Sequence, residues 1–60
     1  MSRRESVNLF FRLRQSQKQD ILKRMGLKPA NSFDEYKERL KEITDWNNFA
    51  AEVLKEKAIT

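Results

Sequence analysis

Apolar residues recur at helical intervals in four stretches of this chain, and each stretch is preceded by residues suited to start a helix. Val7, Leu9, Phe10, Phe11 and Leu13 form the first. Ser2-Arg3-Arg4-Glu5 lies ahead of them with the serine-to-glutamate spacing of a capping box and predicts a helix from about Arg3 to Arg14. So many apolar side chains cover more than one stripe, so this helix is either clasped on two sides or keeps an aromatic exposed. Ser16-Gln17-Lys18-Gln19 repeats a capping-box spacing and predicts a second helix through Met25, with Ile21, Leu22 and Met25 on one face. One long, bent helix is the alternative. Gly26 then stands where a left-handed residue closes a helix, Leu27 can fold back on Leu22, and Pro29 blocks continuation.

The third stretch is the clearest. Ser32 is its expected cap, Glu35 the capping-box partner, and Asp34 and Glu35 make an acidic first turn that suits the helix dipole. Phe33, Tyr36, Leu40 and Ile43 recur at intervals of three and four, while Asp34, Glu35, Lys37, Glu38, Arg39, Lys41 and Glu42 form a solvated face with an expected Glu35–Arg39 pair. In the fourth stretch, Thr44 or Asp45 caps a helix carrying Trp46, Phe49, Ala50, Val53 and Leu54 and fading near Lys57. Trp46 is expected as a core anchor.

The predicted architecture is all-α, a small three- or four-helix antiparallel bundle forming one interaction domain over residues 1–60. Its Phe33, Tyr36, Leu40, Ile43 stripe and its Trp46, Phe49, Val53, Leu54 face pack with Leu9, Leu13, Ile21, Leu22 and Leu27. One glycine and one proline in 60 residues fit helices joined by few turns. A chain this short holds one small core, worth roughly 3–5 kcal/mol of net stability.

Composition narrows the chemistry. Cysteine and histidine are both absent, which removes disulfides, thiol nucleophiles, imidazole bases and the usual zinc, copper and iron ligands. The serines lie at helix caps or near the N-terminus without an activating base. An enzyme is not expected, and no cofactor or metal is. With no apolar run of the length a membrane span needs and no signal-peptide pattern, a cytoplasmic protein is expected.

Charge is divided unevenly. Residues 1–30 carry eight basic and two acidic side chains, and residues 31–60 five basic and seven acidic. Arg3, Arg4, Arg12, Arg14 and Lys18 are the candidate basic face for a partner, Phe10 and Phe11 the apolar candidates, and Asp34, Glu35, Glu38 and Glu42 the acidic face, with Asp45 beside it. Adjacent helical residues point about 100° apart, so a thin bundle struggles to cover both Phe10 and Phe11. Basic and acidic faces can meet head to tail between copies, or the basic face can take an acidic partner.

Phosphate neutralisation is the competing use of the basic residues, including Lys23, Arg24 and Lys28. A DNA-binding helix-turn-helix would use Gln17 to Met25 as first helix and Ser32 to Ile43 as reader, but Asp34 and Glu35 would then face phosphates, and the intervening turn is long. Binding to a membrane surface would expose the apolar face of the first helix, which the core needs.

The succession Phe11-Arg12-Leu13-Arg14-Gln15-Ser16-Gln17-Lys18-Gln19-Asp20-Ile21-Leu22-Lys23-Arg24-Met25-Gly26-Leu27, an acidic amphipathic helix, and then Trp46-x-x-Phe49-x-x-x-Val53-Leu54 resembles the small effector-associated and death-like helical adaptor modules of bacterial conflict systems. The resemblance spans about three quarters of the chain. It implies association between like domains that recruits an effector to a sensor, without catalytic residues; the six helices usual in death-like folds need a longer chain than this. A non-enzymatic adaptor that binds a protein partner is the function expected, with a small basic DNA-binding protein as the alternative.

Overall fold

A computed structural model describes residues 2–59, and it divides them into four α-helices: α1 (Arg3–Arg12), α2 (Gln15–Arg24), α3 (Phe33–Lys41) and α4 (Trp46–Ile59). No strand occurs among the described residues. The overall extents are 23 × 23 × 18 Å. Helices of nine or ten residues are only about 15 Å long, and α4, the longest, is the element against which both α1 and α2 pack.

Ser2 caps α1 by accepting from the Glu5 backbone N–H at 3.2 Å. The helix ends two residues before the expected Arg14, because Leu13 and Arg14 both adopt extended backbone, with ψ of 162° and 158°. The cap of α2 also differs from the expected Ser16. Arg14 occupies the N-cap position, and the Gln17 carboxamide oxygen accepts from its N–H at 3.0 Å, leaving Ser16 exposed within the first turn.

At the other end of α2 the expected glycine closure is present in full. Gly26 sits at φ +75°, its N–H donates to the Lys23 carbonyl at 3.1 Å, and the Leu27 N–H donates to that of Leu22 at 2.8 Å. Gln19 then holds the following loop to α2 by pairing with both backbone groups of Ala30: its amide nitrogen donates to the carbonyl, and its oxygen accepts from the N–H at 3.2 Å.

Ser32 caps α3 as expected, accepting from the Glu35 N–H at 3.2 Å, but the Glu35 carboxylate reaches the N–H of Asn31 at 3.4 Å instead of that of Ser32. Short-range bonds from Glu42 to Arg39 and from Ile43 to Leu40 close α3 before Ile43, which is buried just beyond the helix. Asp45 caps α4 through its bond from the Asn48 N–H at 3.0 Å. The fourth helix continues past Lys57 to Ile59.

Phe10, Ile21, Leu22, Ala30, Tyr36, Leu40, Ile43, Phe49 and Val53 form the buried core, and Leu9, Leu13, Met25 and Leu27 pack partly buried around it. Two expected core residues lie outside. Phe33 is 61% exposed because it is the first residue of α3, where the apolar stripe runs past the edge of the core. Leu54 is 49% exposed because α4 buries Phe49, Val53 and Glu56, and the residue after Val53 is rotated about 100° away.

Two of the polar residues enclosed with the core, Gln17 and Glu56, tie α2 to α4. Buried Gln17 donates from its amide nitrogen to the Glu56 backbone carbonyl at 3.2 Å. The Glu56 carboxylate, 5% exposed, lies 2.7 Å from Arg24 Nη2, while Glu52 meets Arg24 Nη1 at 3.0 Å. The hydrogen bond from Arg24 is the main reason the Glu52 pKa falls below its ordinary range; Arg24 is raised in turn, by Glu52 first and then by Glu56.

Candidate functional site

Phe10 and Phe11 leave α1 in different directions. The Phe10 ring is wholly buried, 5.7 Å from Tyr36 and 5.4 Å from Phe49 by centroids. It is therefore a core residue and not the exposed partner contact expected from the sequence. Phe11 is half-buried and lies 4.9 Å from the ring of Phe33 across the gap between α1 and α3.

The space beside this aromatic pair is a groove of about 590 Å³, opening between α1, α3 and the start of α4. Val7, Phe11, Phe33, Leu40, Ile43 and Trp46 form its apolar floor and walls, and Arg3, Lys37 and Lys41 its rim. Trp46, expected as a core anchor, is only partly buried; its ring meets Phe49 edge-on at 5.3 Å and lines the groove with the rest.

Two of the rim cations are placed over aromatic faces. The Arg3 guanidinium lies 4.5 Å from the Trp46 centroid and the Lys37 ammonium 5.5 Å from that of Phe33. Neither has an ion-pair partner among the described residues, whereas Lys41 meets Glu38 at 3.2 Å. Among the described residues no carboxylate lines the groove.

The remaining expected site residues lie outside the lining of this groove. Lys18 stands over Tyr36 at 4.6 Å and near Phe11 at 5.8 Å, on the α2 side of the aromatic cluster. Arg4, Arg12 and Arg14 are exposed along α1 and its exit. On α3, Glu38 pairs with Lys41 and Glu42 with Arg39, three residues apart in each case, so Arg39 bonds forward to Glu42 rather than back to Glu35. Asp34 is exposed, and Glu35 is engaged by the Asn31 N–H. Two of the four acidic candidates thus already have internal cationic partners.

The sequence reading assigned Lys37 and Lys41 to a solvated face and Phe33 to the core, and so missed that they share a groove with Phe11. The signal available was the surplus of apolar side chains on α1, which left either a two-sided clasp or an exposed aromatic and did not say which neighbour that aromatic meets. Among the described residues no group of three or more Asp or Glu side chains is placed to hold a metal ion. The Tyr36 hydroxyl is buried without a well-formed hydrogen bond; that burial pushes its pKa up, and the Gln15 side chain acts in the opposite direction. Among the described residues no helix is long and apolar enough to cross a membrane. No protein-family model matches the chain, and neither the curated proteins nor the solved structures contain a match to it.

Proposed function

We propose that this chain is a non-enzymatic protein–protein interaction module that recruits a partner by taking an apolar segment of it into the groove between α1, α3 and the start of α4. The observation that carries the reading is Phe33, a large aromatic 61% exposed and set against Phe11 at an interplanar angle of 44° at the mouth of an apolar groove. Aromatic side chains clustered in a concavity with a polar rim are the usual anchors of protein interfaces. A 60-residue chain has little interior to spare, and three of its aromatic side chains that are not fully buried, Phe11, Phe33 and Trp46, line this one groove.

Recruitment of an effector, as the resemblance to death-like adaptors implies, belongs to the same proposal. Selection of a displayed random-peptide library on the wild-type protein, with subtraction on Phe33→Asp, tests it. Enrichment of sequences that bind the wild type and not the variant supports the reading. Enrichment no greater than on a blank surface, with both proteins helical by circular dichroism, overturns it.

A further inference from the structure

We infer that the occupant of the groove is an acidic amphipathic α-helix of a partner protein, an inference that rests on the groove being the docking site. Charge complementarity fixes the sign. Among the described residues three cations rim the groove, no carboxylate lines it, and Arg3 and Lys37 lack an ion-pair partner. Both are also held over ring faces that belong to the floor, so an apolar side chain seated on Trp46 or Phe33 brings its neighbours beside a positive charge. Asp or Glu next to the apolar anchors gains from this arrangement, and Lys or Arg there is repelled.

The backbone of the occupant is set by its hydrogen bonds. The walls are helix side surfaces and no strand edge is available among the described residues, so an extended segment pressed onto this floor would leave its N–H and C=O groups without partners. A helix satisfies those groups internally and presents anchors at i, i+3 or i+4, and i+7. The longest extent of the molecule, 23 Å, limits the docked helix to about 15 residues at 1.5 Å per residue.

Trp46 is the only tryptophan and lines the groove, so its fluorescence reads occupancy directly. Three tryptophan-free peptides of about 15 residues share Leu and Phe anchors at helical spacing and carry Glu, Gln or Lys at the flanking positions. The acidic peptide is expected to bind about tenfold more tightly than the Gln peptide, with the Lys peptide weakest, and the preference to shrink as salt rises. Arg3→Glu combined with Lys37→Glu is expected to invert the order. Both residues are exposed, so the doubly substituted protein is expected to retain its helicity.

Equal binding of all three peptides, abolished by Phe33→Asp, overturns the acidic occupant and leaves the groove as a docking site. No Phe33-dependent binding of any peptide overturns both. A single-stranded oligothymidylate that displaces the acidic peptide and binds more tightly than it does overturns the inference in favour of nucleic acid.

Discussion

The Gln17 side-chain amide donates to the backbone carbonyl of Glu56 at 3.2 Å, joining the first turn of α2 to the last turns of α4 across 39 residues of sequence. The oxygen of the same carboxamide accepts from Arg14 and starts α2. Gln17→Leu leaves both backbone groups without their partner and is expected to cost about 1–3 kcal/mol. Thermal unfolding followed by circular dichroism reads this as a drop of several degrees; an unchanged midpoint contradicts the assignment.

Gln17 also shows where reading the sequence stops. The four helices were legible because caps and apolar spacing are local: Ser2, Ser32 and Asp45 act within one turn of themselves, and the Gly26–Leu27 closure needs only its own backbone. Gln17, Glu56 and Ser6 are buried polar residues in segments that read as surface, and their burial depends on how α2 and α1 meet α4. The groove was half legible for the same reason. Crowding on α1 left either a two-sided clasp or an exposed aromatic, and the meeting of Phe11 with Phe33 depends on the approach of α3 to α1.

Phe10 and Phe33 separate folding from surface. Phe10→Ala is expected to cost about 3–5 kcal/mol, enough to unfold a domain of this size, because it empties a wholly buried site. Phe33→Ala is expected to change stability by less than about 1 kcal/mol. Urea denaturation of the two variants tests the contrast, and similar losses in both place Phe33 in the core after all.

Gly26 has φ +75°, and a Cβ built there meets nothing within 4 Å. The penalty for Gly26→Ala is therefore conformational rather than steric crowding by neighbours, about 1–2 kcal/mol, and Gly26→Asn is expected to lose less. Chemical denaturation of the pair checks the order.

Tyr36 makes the fold sensitive to alkali. Its pKa is raised above the ordinary 10.0, chiefly by burial of the neutral hydroxyl. Its contribution to stability is full below pH 10 and is lost as pH rises through the folded value. Tyr36→Phe is expected to remove this part of the alkaline decline without weakening the protein near neutrality, since the hydroxyl gives up no well-formed bond. Melting curves of both proteins between about pH 8 and 11 test it.

Glu52 acts at the opposite limit. Its pKa lies below the ordinary 4.5, first because Arg24 donates to it, so its stabilising effect is present above pH 4.5 and lost as pH falls through the folded value. Glu52→Gln is expected to flatten the acid side of the stability profile. A profile that keeps its full slope between about pH 5 and 2 contradicts this role.

The divergence of Phe10 and Phe11 means that neighbouring codons answer to different selection. Position 10 is constrained by the interior, position 33 is exposed at the mouth of the groove, and position 11 answers to both, being half-buried against the core. On the proposed docking role, substitutions at position 33 retune what the groove accepts without touching the interior.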